Sequence, residues 1–220
     1  MVAFDIIETT FRIEPLDRQL VRLGLPPGSY RRLYAEGLRD AFALACSNRF
    51  QPFMSVLKAN LAGLIAEYDL EQGDAALTDA LSIMKELPPH ADAPEAYAGL
   101  KAAGIRIFAL SNGAAASTRS LLEKAGMADL VEQVLSVEDV RLSKPRPEVY
   151  LYTVETAKVR PEEVMLVACH PWDVAGALSA GLRAAYVSRE RPYPDQIMAQ
   201  PEIAEGSLMD VSRAILKGQS

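Results

Sequence analysis

The sequence predicts an α/β fold: a parallel sheet with a helical cap inserted after the first strand. Three observations carry this expectation. Short apolar runs recur, and each ends in polar residues: Val2–Phe4 before Asp5, residues 105–110 before Ser111 and Asn112, and residues 164–168 before Cys169 and His170. They are continuously apolar rather than alternating, as strands covered on both faces are. Helical segments stopped by Gly104, Gly126 and Gly181 separate the later runs, the βαβ rhythm of a parallel sheet. Finally, the stretch between the first run and the rest has apolar residues at helical spacing and no strand signal.

Taken in order, Val2–Phe4 is the first strand and residues 12–90 form the helical cap, with patterns such as RLYAEGLRDAFALA, FMSVLKANLAGLIAEYDL and LTDALSIMKEL. The core takes residues 1–11 and 91–220. Within it, helices are expected at 94–103, 117–124, 147–158, 172–180 and, near the end, 209–216. Strands are expected at 105–110, 164–168 and 184–187, with a weaker candidate at 131–135. Connections in such sheets are right-handed and ligands bind beyond the carboxyl ends of the strands. The polar residues that close each run are therefore expected to converge.

Bulk properties exclude several classes. With 220 residues, 50% hydrophobic and 24% charged, the chain can build one substantial core carrying an insertion. A net charge of −6 argues against a nucleic-acid footprint. No apolar run approaches the roughly 20 residues needed to span a bilayer. The N-terminal VAF is interrupted by Asp5 and has no basic flank, unlike a signal peptide. Cys46 and Cys169 lie far apart and do not suggest a disulfide framework. A cytoplasmic, reduced, soluble protein with no nucleic-acid or membrane partner is expected.

Read by themselves, the residues leave alternatives open. Asp5 at a strand end is a competent nucleophile, a metal ligand, or a carboxylate accepting backbone N–H bonds in the turn. Ser111, Asn112 and Gly113 suit an anion, or an ordinary strand-to-helix turn. Lys144 balances a buried carboxylate or is solvated. Asp173 is a second acid or a helix cap. His170 is one of two histidines; the other, His90, lies in a turn and reads as structural. Cys169 and His170 are adjacent at a strand end and should face opposite ways, which disfavours a Cys–His nucleophile.

The order and spacing of these elements are more specific than any one of them. FDxxxT at the first strand, a helical insertion, SNG, KPxPxxY and finally WD resemble the haloacid dehalogenase superfamily over almost the whole chain. FALSNG, LSVEDVRLSKPRPEVY and PWDVAGA resemble its type II branch, the 2-haloacid dehalogenases. The resemblance implies a Rossmann-like core with a helical cap. It also implies that Asp5 is the nucleophile, Lys144 the cation that keeps it ionised, and Asp173 the acid that positions the lysine. Thr9, Ser111, Asn112 and Tyr150 match further site positions, and His170 falls where many dehalogenases have asparagine. The implied activity is attack of Asp5 on the carbon bearing a halide in a small organic acid, followed by hydrolysis of the ester, with no cofactor. A homodimer is a further implication.

Three departures bear on the substrate. Ile7 stands where superfamily phosphatases carry an acid/base aspartate and typical dehalogenases a tyrosine. Glu8 replaces the usual loop glycine, placing a carboxylate at the mouth of the site or facing solvent. The cap arginine that meets substrate in dehalogenases falls near Ala35; Arg39, one turn on, either substitutes for it or is a solvated helix residue. The alternatives are a Mg²⁺-dependent phosphatase with Asp5 and Asp173 on the metal, or a binding protein that keeps the fold without the chemistry.

Overall fold

The computed structural model describes residues 1–218; residues 219 and 220, which the expected core segment included, lie outside the described residues. Six strands form one fully parallel sheet in the order β3-β2-β1-β4-β5-β6. They are β1 Val2–Phe4, β2 Ile107–Ser111, β3 Gln133–Ser136, β4 Met165–Ala168, β5 Arg183–Val187 and β6 Ile203–Glu205. The first strand thus lies near the middle, with β2 on one side and β4 on the other. Chain order reverses there, the place where open α/β sheets form their ligand crevice.

Strand alternation divides the core into two layers. Val2 and Phe4 pack on one face with Ile107, Ala109, Met165 and Val167. Ala3, Phe108, Leu110, Leu166 and Ala168 pack on the other. Helices α1 Pro15–Arg22, α2 Ser29–Cys46, α3 Phe53–Glu67 and α4 Asp74–Ser82 follow β1, then come α5 Ala93–Ala102 and α6 Ala115–Lys124. After β3 the chain continues with α7 Val137–Val140, α8 Pro147–Ala157, α9 Pro171–Ser179 and α10 Leu208–Lys217. Leu16, Leu20, Leu33, Leu57 and Leu61 carry the Phe4 layer outward into α1–α3. No helix among the described residues is long and apolar enough to cross a membrane.

Residues 12–90 contain helices and no named strand, and the chain leaves and re-enters the sheet region side by side. Phe11 bridges Pro89 in antiparallel fashion, Arg12 N–H donates to Pro88 O at 2.9 Å, and His90 N–H donates to Thr10 O at 2.9 Å. Gly104, Gly126 and Gly181 all take positive φ, 78°, 66° and 84°, the left-handed cap that glycine adopts without a Cβ penalty.

The structure adds elements that periodicity missed. Helix α1 is two turns long, with Pro15 at its start and only Leu16 and Leu20 buried, too short a pattern to stand out. Strand β6 is a three-residue edge strand with two exposed positions, so it carries no apolar run. The segment LTDALSIMKEL is not one helix: α4 tightens into a 3₁₀ turn, Ile83–Lys85, which buries Met84.

Candidate active site

Asp5 is fixed by extending the sheet one residue beyond β1: its N–H donates to Val167 O at 3.0 Å. The loop that follows is tight, with Thr10 and Phe11 N–H groups both donating to Ile6 O at 2.9 Å. The Thr10 hydroxyl donates to Asp5 O at 2.8 Å and shares a hydrogen bond with the Tyr97 hydroxyl at 2.8 Å. From beyond β5, Arg189 donates to Thr9 O at 2.9 Å while clasping Asp92 through two hydrogen bonds. Thr10, Tyr97 and Asp92 had no sequence signal, and Arg189 only its place after the 184–187 run. They come from three segments, the loop after β1, the start of α5 and the chain beyond β5, and meet only in the fold.

At the centre, Lys144 Nζ donates to Asp5 Oδ1 at 3.0 Å and to Asp173 Oδ2 at 2.8 Å. Lys144 and Asp173 are wholly buried. Tyr150, equally buried, donates to Asp173 Oδ1 at 2.6 Å, so it serves Asp173 and does not face a cavity. Thr9 Oγ1 donates to Asp5 Oδ2 at 2.7 Å and accepts the Cys169 N–H at 2.9 Å. Asn112 Oδ1 accepts the Lys144 N–H at 3.1 Å, holding the lysine backbone as well as lining the cavity. Burial opposes the Asp5 anion, but Lys144, then His170 and Thr9, overcome it and hold the carboxyl well below the usual carboxylate range. Burial likewise works against the Lys144 cation, and the Asp173 and Asp5 carboxylates outweigh it, raising the ammonium pKa. Asp173 is pushed up by burial, partly countered by Lys144.

His170 and Glu8 complete the cluster. His170 Nδ1 lies 3.2 Å from Asp5 Oδ2, and Nε2 lies 2.7 Å from Glu8 Oε2. Glu8 therefore turns to the site, in a left-handed conformation at φ 66°, which explains why a glycine suits this loop position. Burial disfavours a charged His170, but the Cys169 sulfur and the Asp5 and Glu8 carboxylates raise its pKa well above the ordinary value. Contrary to the strand-end expectation, Cys169 Sγ lies 3.8 Å from His170 Nδ1. The reason is that β4 ends at Ala168 and His170 already caps α9, so strand alternation no longer applies. His90, read as structural, donates from Nε2 to Glu8 O, 2.9 Å away.

Two cavities flank this cluster. A small one, about 40 Å³, touches Asp5, Ser111 and Asn112 and is walled by Ile7, Tyr34, Phe53, Met54, Met84 and Trp172. It has room for about three water-sized bodies, and Lys85 is the one cationic side chain among its described lining residues. A larger polar cavity, about 360 Å³, opens on the far side of His170 and Glu8 and is edged by Arg12, Arg189 and Arg191. Arg39 lines neither: its side chain is 64% exposed and paired with Asp40, so the solvated reading holds for it. Ala35 is exposed as well.

A Mg²⁺ ion held by Asp5 and Asp173 would have to share their oxygens with donors already in place. Lys144 already takes one oxygen of each carboxylate, Tyr150 the other oxygen of Asp173, and Thr9 with His170 the other oxygen of Asp5. No group of three or more His, Cys, Asp or Glu side chains among the described residues is arranged to hold a metal ion.

The packing behind Asp173 leads to one expected result. A Cβ at Gly176 would stand 2.5 Å from the Tyr150 hydroxyl and 2.7 Å from Pro145 Cβ. Gly176→Ala should therefore displace Tyr150 and destabilise the fold by about 1–3 kcal/mol, read by thermal unfolding. An unchanged melting midpoint would show that α9 can shift freely.

Comparison with known proteins agrees with this geometry. A family profile described as haloacid dehalogenase-like hydrolase matches residues 1–181. The (S)-2-haloacid dehalogenase of Xanthobacter autotrophicus is 30% identical over 190 residues, covering 86% of this chain and 74% of that protein. The solved structure of an L-2-haloacid dehalogenase from that organism superposes with a TM-score of 0.89 at 26% identity, covering 100% of this chain and 98% of the other. A second structure of an enzyme so described, with chloropropionic acid covalently bound, gives 0.86 at the same identity and coverage.

Proposed function

The chain belongs to the haloacid dehalogenase-like hydrolases, and on that premise we propose that it removes halide from small (S)-2-haloacids through an ester on Asp5. The observation that carries this reading is the state of Asp5: a nearly buried carboxylate, kept anionic by Lys144, at the wall of a small and largely apolar cavity. An anion so placed is stripped of water on the side from which a substrate carbon arrives, which strengthens it as a nucleophile. Relatives acting on (S)-2-haloacids supply the substrate class.

In the first step a lone pair of Asp5 forms a C–O bond to the substrate carbon, and the carbon–halogen electron pair leaves with the halide. In the second, water adds to Cγ of Asp5, the bond from Cγ to the substrate-bearing oxygen breaks, and a 2-hydroxy acid departs. One water proton ends on the product hydroxyl; the regenerated Asp5 carboxylate gives up the other to solvent. Lys144 supplies positive charge throughout, Asp173 and Tyr150 hold it in place, and we propose that no metal takes part. The substrate carboxylate sits against Ser111, Asn112 and the amino end of α6, where backbone N–H groups favour an anion. Ile7 at the cavity wall offers no proton to a leaving alkoxide, which argues against the phosphatase alternative.

Halide release measured across both enantiomers of short 2-haloacids tests the reading; silence across the panel would overturn it. A single turnover in ¹⁸O-labelled water should place the label in Asp5 and not in the product. Lys85, exposed at the cavity mouth, should assist the substrate carboxylate weakly. Lys85→Ala is expected to raise KM about 2- to 5-fold, as for an exposed ion pair, with kcat nearly unchanged.

A further inference from the structure

Counting donors around Asp5 distinguishes its two oxygens. A carboxylate oxygen offers about two good acceptor positions. Oδ2 uses both, accepting the Thr9 hydroxyl at 2.7 Å and His170 Nδ1 at 3.2 Å. Oδ1 accepts Lys144 alone among the described residues, at 3.0 Å. The oxygen with a free lone pair is therefore Oδ1, and once it is alkylated Oδ2 becomes the carbonyl oxygen of the ester. The Thr9 hydrogen is committed to that oxygen, because the Thr9 oxygen already accepts the Cys169 N–H at 2.9 Å.

The second donor is just as constrained. Both ring nitrogens of His170 face carboxylate oxygens, Asp5 on one side and Glu8 at 2.7 Å on the other. Ionised carboxylates only accept hydrogen bonds, so making both requires a proton on each nitrogen. Resting on the dehalogenase reading above, we propose that His170, held as imidazolium by Glu8, and Thr9 form the oxyanion pocket that stabilises Oδ2 while water attacks the Asp5 ester. His170 is then a catalytic residue of the hydrolytic step, and Glu8 a positioning residue that acts through it.

The charge count fits that role. In the resting site Asp5, Asp173 and Glu8 are negative, and Lys144 and His170 positive, leaving one net negative charge. Alkylation of Asp5 removes it, leaving two neutral pairs, Lys144 with Asp173 and His170 with Glu8. Attack by water, which gives up one proton to solvent, moves an electron pair from the carbonyl onto Oδ2, restoring one negative charge where two donors already point. When the tetrahedral centre collapses, that pair re-forms the carbonyl and the bond from Cγ to Oδ1 breaks with its pair on Oδ1. Oδ1 takes a proton as the product leaves, and Asp5 releases the remaining water proton to solvent. Donors aimed in advance at the oxygen where charge develops are worth most in such a site.

Single-turnover kinetics separates the two steps. In His170→Ala the first equivalent of halide should appear at close to the wild-type rate, while steady turnover falls about 10²- to 10³-fold. An adduct should then accumulate on Asp5, visible by mass spectrometry. His170→Asn, which keeps one neutral donor, should recover part of the loss. In Glu8→Gln the accumulation should be smaller. Nitrogen-edited NMR of the free enzyme at neutral pH should show two ring protons on His170 in the wild type and one in Glu8→Gln; the chain has only one other histidine. Equal slowing of halide release and turnover in His170→Ala with no adduct would overturn the proposal, as would a wild-type ring with one proton. If the wild type itself releases no halide and forms no adduct, the dehalogenase reading fails, and this role with it.

Discussion

Asp5→Asn should lower turnover by at least about 10⁴-fold, the scale of losing a covalent nucleophile. The substitution is nearly isosteric and the site is closely packed, so the effect is expected in kcat and not through collapse of the fold. An amide cannot attack as a carboxylate does, and its NH₂ would meet Lys144, or Thr9 and His170, all of them donors. Halide release from the variant, with circular dichroism to confirm folding, is the measurement. Retention of about a tenth of wild-type turnover would remove Asp5 from the mechanism, whatever the family resemblance.

Lys144→Met should be the second severe change, and it should act on stability as well as chemistry. The ammonium lies between two buried carboxylates with no exposed surface of its own. Removing one partner of a buried ion pair leaves uncompensated charge and typically costs about 3–5 kcal/mol. At about 2–4 °C per kcal/mol for a chain of this size, the melting midpoint should fall by roughly 6–20 °C. The pH dependence has a definite sign. Lys144 depresses the Asp5 pKa, so in the wild type the nucleophilic anion persists well into acid. Without the lysine, burial raises that pKa, and the acid limb of kcat/KM should move to higher pH. An unshifted limb would mean that His170 and Thr9 suffice to hold the charge.

The difference between what the sequence disclosed and what required coordinates follows from the range of the interactions. Asp5, Ser111 and Asp173 sit at or near the ends of apolar runs, and the geometry of a parallel sheet brings such ends together whatever the loops do; Lys144 was marked instead by the KPxPxxY pattern around it. The helix stops at Gly104, Gly126 and Gly181 are equally local, being set by one residue's backbone freedom. Beyond the Asp5–Lys144–Asp173 chain that the resemblance implied, partnerships were not legible. Tyr150 reads as a residue near the substrate but spends its hydroxyl on Asp173. Arg39 has the right spacing on α2 and the wrong side of the helix. Glu8 and His170 are 162 positions apart, and only the left-handed turn at Glu8 aims its carboxylate at the ring.

The paired crossing at Phe11 and Pro89 has a mechanical consequence. The outgoing and returning chains are laced by two backbone hydrogen bonds into one narrow ribbon, with Ile7 and Glu8 just upstream of it. A layer tethered by two separate cords could swing aside and leave the nucleophile loop at rest. Here both cords are one hinge, rooted in the segment that presents the nucleophile. Any rocking of α1–α4 over the sheet would have to bend that ribbon or drag residues 7–12, and with them the Glu8 carboxylate, along.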